Sequence, residues 1–221
     1  MSWQAQTLLL SAGTLVAVLA QLRGEYRGPR ALLYLAKPSA TLLVLALAAS
    51  APPGAEPWVA RWILLGLAFS LAGDVLLMLP SDRFAAGLAS FLVAHLCYLA
   101  GFTREAGFQL ALPALLPLLA AAALVVRRLA PGLGGMRVPV LVYVAALLLM
   151  AWQALGRSLV LPGAGPVLAA AGACLFVVSD SALALARFHR PFASSRAVVA
   201  ITYFAAQWLI ALSLHAAGPG A

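Results

Sequence analysis

Three ionisable residues stand inside long apolar runs of this chain. Lys37, the only lysine, lies in Leu33-Tyr-Leu-Ala-Lys-Pro-Ser-Ala-Thr41; Asp74 lies between Gly73 and Val75; Asp180 lies in Val178-Ser-Asp-Ser181. At mid-membrane each would cost about 2.5 kcal/mol or more on insertion scales. Such groups face a bundle interior, pair with one another or line a watery cavity. Two carboxylates sharing a cavity can divide acid–base work. Burial keeps one protonated, while a neighbouring ammonium keeps the other ionised. With the hydroxyls of Tyr143 and Tyr203 nearby, that equipment suits acid-assisted cleavage of an ether or acetal-like bond by water, without a covalent serine intermediate. A proton-coupled transporter uses intramembrane carboxylates as well. A plain ion pair between Lys37 and one aspartate, holding helices together, is the structural alternative.

The elements that position these residues are helices in lipid. The chain has 221 residues, of which 64% are hydrophobic and only 9% charged, and its mean hydropathy is +1.02. Soluble chains carry about 25% charged residues, so too little polar surface exists to cover a water-soluble fold. The expectation is an all-α, polytopic membrane bundle forming a single domain over 1–221. Its eight transmembrane helices are expected at Thr7–Leu22, Leu32–Ser50, Trp58–Leu79, Phe84–Phe102, Leu110–Val126, Val138–Leu155, Pro166–Ala186 and Ala197–His215. Proline and glycine pairs mark the junctions, as in Gly28-Pro29, Pro52-Pro53-Gly54 and Pro131-Gly132.

Charge then orients the bundle. The odd-numbered loops and adjoining helix ends hold Arg23, Arg27, Arg30, Arg83, Arg127, Arg128, Arg137, Arg187, Arg190 and Arg196, against Arg61, Arg104 and Arg157 on the other side. The positive-inside rule makes the first side cytoplasmic and puts both termini on the opposite face. Counted from that boundary, Lys37, Asp74, Tyr143, Asp180 and Tyr203 all lie roughly 9–11 Å deep at 1.5 Å per residue. They form one layer drawn from five helices. His95 and Tyr98 fall at deeper levels, and Gln207 lies one turn beyond Tyr203 on the same face. These three would lengthen a cavity away from the cytoplasm.

A shift of 106 residues lays Gly66–Asp74 over Gly172–Asp180 and Lys37 over Tyr143, as a parallel repeat of four plus four helices would.

Other functions find little support. The net charge of +8 is spread singly or in pairs between spans, with no basic stripe or aromatic platform for nucleic acid. Cys97 and Cys174 have no ligand spacing and read as small apolar residues. His189 and His215, at helix ends, receive no chemistry. Trp58 and Trp62 read as an aromatic belt, and Tyr26 and Tyr34 as headgroup-level residues. No nucleophile elbow surrounds Ser90. The first apolar run lacks a basic n-region and reads as helix one, not a removed signal.

The polar segments, in order, resemble the YhhN/TMEM86 lysoplasmalogenase family. The likeness rests on Ala36-Lys-Pro-Ser-Ala-Thr41, Gly66-Leu-Ala-Phe-Ser-Leu-Ala-Gly-Asp-Val-Leu-Leu-Met-Leu79 and Phe84-Ala-Ala-Gly-Leu-Ala-Ser-Phe-Leu-Val-Ala-His-Leu-Cys-Tyr98. Val138-Pro-Val-Leu-Val-Tyr143, Phe176-Val-Val-Ser-Asp-Ser181 and Tyr203-Phe-Ala-Ala-Gln207 complete it. The resemblance implies an eight-span fold and a hydrolase that cleaves the vinyl ether of a lysoplasmalogen, giving a fatty aldehyde and a glycerophospho-headgroup. It implies Asp74 and Asp180 as catalytic carboxylates, with Asp180 favoured as the acid and Asp74 as its base partner. Lys37, His95, Tyr143, Tyr203 and Gln207 would support them, Lys37 by contacting phosphate or by holding a carboxylate ionised. The expected substrate is a single-chain lysophospholipid or ether lipid taken from bilayer lipid, with no cofactor, metal or nucleic acid. The expected location is a bacterial cytoplasmic membrane, with the site opening to the cytoplasmic side.

Overall fold

The structure, a computed structural model, describes residues 2–52, 54 and 56–216. Pro53, expected in the loop after the second helix, lies outside the described residues. Among the described residues, eight helices are long and apolar enough to cross a membrane. They are α1 Trp3–Tyr26, α2 Arg30–Ala49, α3 Pro57–Met78, α4 Phe84–Ala106, α5 Leu112–Leu129, α6 Arg137–Val160, α7 Ala164–Phe188 and α8 Ser195–Leu212. Lengths of 18 to 25 residues give about 27–37 Å at 1.5 Å per residue, matched to a hydrocarbon core of about 30 Å. The chain is an all-α, eight-helix integral membrane protein.

Most helices run past the expected boundaries. The sequence reading stopped at the first charges, but backbone hydrogen bonding continues through Arg23 and Glu25 in α1 and through Arg104 and Glu105 in α4. Helices α2 and α3 end one residue early and α5 starts two late; α8 falls shortest, ending at Leu212, and residues 213–216 form turns instead of continuing to His215. His215 folds back there, with Nε2 donating to the Leu47 carbonyl at 2.9 Å and Nδ1 facing the Thr7 hydroxyl at 3.2 Å. It ties the end of α8 to α1 and α2. Arg157, expected among loop charges, is a 3%-exposed residue of α6. Its Nε donates to Glu105 Oε2 at 2.8 Å, which links the ends of α4 and α6.

Contacts between loops put the odd-numbered ones at the same end of the bundle. Tyr26, beyond its headgroup-level reading, donates to the Ala193 carbonyl and accepts from the Ala197 N–H, both at 3.2 Å. Arg187 pairs with Asp82, and the rings of Phe84 and Phe188 meet edge to face at 5.4 Å. This end carries the arginine excess and is called the rim below.

The core lies among α2, α3, α4, α6, α7 and α8, around Leu67, Tyr98, Phe102, Met150, Phe176 and Ile210. Helices α3 and α4 approach closely because small residues meet rings: a Cβ on Gly66 would strike the Tyr98 ring, and one on Gly73 the Phe91 ring. Gly73 thus lets α4 press against the turn that carries Asp74. Helix α5 is peripheral, resting on α6 and α7 with only Leu129 fully buried. Cys97 is buried and Cys174 half-buried, both as free thiols.

Candidate active site

The five residues expected in one layer, Lys37, Asp74, Tyr143, Asp180 and Tyr203, all line one cavity of about 280 Å³. They meet in two groups. Asp74, from α3, is 1% exposed and surrounded by donors. Lys37 Nζ lies 3.2 Å from Oδ1, while the Thr41 and Tyr203 hydroxyls donate to Oδ2 at 2.6 and 2.7 Å. Behind Tyr203 the donors continue in line. Gln207 Nε2 donates to the Tyr203 hydroxyl at 3.0 Å, and the Tyr98 hydroxyl donates to Gln207 Oε1 at 2.7 Å. Ser70 lies 3.5 Å from Tyr98 at the far end. Each hydroxyl has one proton, so the chain Tyr98–Gln207–Tyr203 points every donor toward Asp74.

Asp180, from α7, has a sparser environment. The Tyr143 hydroxyl donates to Oδ2 at 2.5 Å, and His95 Nε2 stands 3.3 Å from the same oxygen and 2.9 Å from the Tyr143 hydroxyl. With Tyr143 donating to Asp180, His95 must supply the proton between Nε2 and Tyr143. That makes Nε2 the protonated nitrogen and leaves the buried Nδ1 without a partner among the described residues. No described residue bonds Asp180 Oδ1, and the side chain is 12% exposed. One carboxyl oxygen therefore has no partner among the described residues, in a side chain that lines the cavity.

His95 was expected at a deeper level, and the contact with Asp180 corrects that. Side chains on a helix tilt toward its N-terminus. Helix α4 starts at the rim, so His95 tilts toward the rim; α7 ends there, so Asp180 tilts inward. The two converge from different depths. Tyr98 and Gln207 do lie behind the layer, and neither they nor His95 line the cavity. The Phe176 ring separates the two groups, with its centroid 5.0 Å from His95 and 5.6 Å from Tyr203.

Sequence reasoning missed some polar groups. Thr41 follows Lys37 by one turn on α2, and that i+4 spacing was the available signal. Gln21 and Glu25 have the same spacing on α1 and also line the cavity. Ser179 donates to the Val199 carbonyl at 3.3 Å. At the end opposite the rim, Arg61 and Arg104 stack over Trp58, 5.5 and 5.4 Å from its centroid, as befits an interfacial belt.

Known proteins place the chain. It is 31% identical over 191 residues to "Uncharacterized membrane protein YhhN" of Escherichia coli O6:H1, covering 86% of this chain and 91% of that one. Bovine lysoplasmalogenase TMEM86A is 39% identical over 158 residues, 68% of this chain and 64% of its own. Mouse lysoplasmalogenase TMEM86B is 38% identical over 173 residues, 77% and 70% respectively. No solved structure matches. Residues 32–214, which carry every polar group of both networks, match the YhhN family, and the chain belongs to that YhhN/TMEM86 family.

Proposed function

We propose that this chain is a lysoplasmalogenase-like ether hydrolase of a bacterial cytoplasmic membrane, one eight-helix domain with its site open to the cytoplasmic side. It cleaves the vinyl ether of a one-chain phospholipid, releasing a fatty aldehyde and the glycerophospho-headgroup. The observation that carries the reading is one cavity lined both by Asp74 and Asp180 and by the rim residues Phe84, Phe188 and Arg196. Fully buried Phe102, Met150 and Ile210 pack elsewhere in the bundle. Ala121, Ala122 and Val125 of α5 add an apolar wall suited to a hydrocarbon chain. The bovine and mouse relatives named as lysoplasmalogenases support the same chemistry.

In this mechanism Asp180 is the acid. With Oδ2 taken by Tyr143 and His95, Oδ1 is the oxygen that carries the acid proton in this reading. Transfer of that proton to the vinyl carbon farther from oxygen leaves an oxocarbenium ion at the nearer carbon. The resulting Asp180 carboxylate stabilises the cation and takes a proton from the attacking water. The hemiacetal then collapses to aldehyde and alcohol. Asp74 departs from the expected base role: both its oxygens are engaged and it is almost wholly buried. It acts as a positioning residue, holding the Lys37 ammonium at the cavity wall.

The same reading takes the chain as two parallel four-helix repeats with both termini away from the cytoplasm. Residues related by the 106-residue shift make matching pairs, Lys37 with Asp74 and Tyr143 with Asp180. Helix α4 packs on α6 as α8 packs on α2.

The test is aldehyde release by purified protein from lysoplasmenylethanolamine and from its saturated ether analogue. Aldehyde from the vinyl ether alone, lost in folded Asp74→Asn and Asp180→Asn variants, is the expected result. Full activity in both variants would overturn the carboxylate mechanism. Proton-coupled uptake by wild-type proteoliposomes without aldehyde release would favour transport.

A further inference from the structure

The cavity is polar again toward its rim. Gln21 and Glu25, one turn apart near the end of α1, line it together with Ser195 and Arg196 at the start of α8. Gln21 is 4% exposed, and its Oε1 has no hydrogen-bond donor among the described residues. Buried amides are nearly always paired, yet neither atom of the Gln21 amide has a partner among the described residues, and a half-turn of the amide brings its oxygen to the cavity that the side chain lines. Beside it, Glu25 Oε2 stands 3.7 Å from Arg196 Nε, and Arg196 Nη1 donates to the Glu25 carbonyl at 3.1 Å. The mouth of the cavity therefore has two acceptors next to a guanidinium.

We propose that Gln21, Glu25 and Arg196 form a headgroup subsite selective for phosphoethanolamine over phosphocholine. The lipid is identified as a lysolipid by the hydrolase reading, on which this inference rests. A primary ammonium has three N–H donors, enough to reach both Gln21 Oε1 and the Glu25 carboxylate. A trimethylammonium has none and leaves Gln21 unpaired, and rejection of a ligand lacking a needed donor is the stronger kind of discrimination. The adjoining phosphate faces Arg196, whose planar fork suits phosphate oxygens. Depth agrees. Gln21 lies five residues before the end of α1 and Asp180 eight before the end of α7, about 7.5 and 12 Å inward at 1.5 Å per residue. Glu25 is one residue from the end of α1. The subsite thus sits about 5–10 Å nearer the rim than the acid, the span of a glycerophosphate.

The experiment measures equilibrium binding of two saturated alkyl-ether lysolipids, ethanolamine- and choline-headed, to purified protein in nanodiscs of phosphatidylglycerol. Aldehyde release from the matching vinyl ethers is followed in parallel. Wild type binds the ethanolamine analogue about tenfold more tightly, the worth of one charge-assisted hydrogen bond. Gln21→Leu removes most of that preference with under a twofold change for the choline analogue, Glu25→Gln weakens both analogues but the ethanolamine one more, and Arg196→Gln weakens both alike. Equal wild-type affinities, a preference untouched in the Gln21 and Glu25 variants, or no saturable binding overturns the subsite. Stronger displacement by two-chain phosphatidylethanolamine than by the lysolipid overturns the lysolipid assignment. The two readings separate cleanly. Headgroup preference without aldehyde release breaks the hydrolase reading alone, and release without preference breaks the subsite alone.

Discussion

Asp74 and Asp180 sit at corresponding places in α3 and α7, each reached by groups from two neighbouring helices, and yet their surroundings differ in kind. Asp74 takes an ammonium and a hydroxyl from α2 and a hydroxyl from α8, with both oxygens filled. Asp180 takes a hydroxyl from α6 and an imidazole from α4 on one oxygen, with no described residue on the other. Lys37 and Tyr143, the residues that the 106-residue shift superposes, make most of the difference. A cation and two hydroxyls fill both oxygens of one carboxylate, and a phenol and an imidazole on a single oxygen leave the other without a described partner. In the proposed mechanism that one difference, Lys37 against Tyr143, separates holding from proton transfer.

Replacing each carboxylate should separate these roles. Asp180→Asn keeps an acceptor for Tyr143 and removes the transferable proton. Aldehyde release should fall about 10³-fold, in the range for loss of a general acid, with the thermal midpoint in detergent nearly unchanged. A midpoint drop as large as that of the Asp74 variants would erase the contrast. Asp74→Leu leaves the 17%-exposed Lys37 ammonium without its partner. It should lose about 3 kcal/mol of stability, at the low end for breaking a buried pair. The double variant Lys37→Met with Asp74→Leu should recover much of that stability and none of the activity.

Smaller changes sharpen the comparison. Tyr143→Phe removes the hydroxyl bonded to Asp180 and should lower kcat about tenfold at little change in KM, consistent with a hydrogen bond made to the reacting acid. Tyr203→Phe leaves Asp74 with two donors and should affect stability more than kcat, by about 1 kcal/mol. The least effect belongs to the rim. The Arg187 hydrogen bond, aided by the Phe84 N–H, holds the exposed Asp82 carboxyl below its ordinary value. Its small stabilising effect is present at neutral pH and is lost as pH falls through the folded-state value. Arg187→Gln should let Asp82 titrate higher by carbon-detected NMR, with aldehyde release unchanged.

Much of this was legible in the chain. Eight apolar runs of membrane-spanning length can only be helices in lipid, because every backbone polar group must be satisfied within its own segment. Asp74, Asp180 and Lys37 stood out because charges are rare in such runs. The common depth of Lys37, Asp74, Tyr143, Asp180 and Tyr203 followed from counting residues at a fixed rise, and all five line one cavity. The same counting misled for His95, since the rise locates a Cα and not the tip of a side chain leaning toward its helix N-terminus. Arg157 read as a loop charge and instead pairs with Glu105 between α4 and α6. Neither sequence neighbourhood reveals the other, 52 residues away.

Composition and period therefore determined the solvent, the helix count and which residues are too polar for their surroundings, since each depends on local hydropathy and a fixed helical rise. Partner choice was decided only in three dimensions. Whether Lys37 meets Asp74 or Asp180, which carboxyl oxygen stays open, and where Gln21 lacks a donor all depend on how separate helices rotate and lean against one another. Those rotations come from packing, such as Tyr98 against Gly66 and Phe91 against Gly73, in which residues far apart in sequence act together.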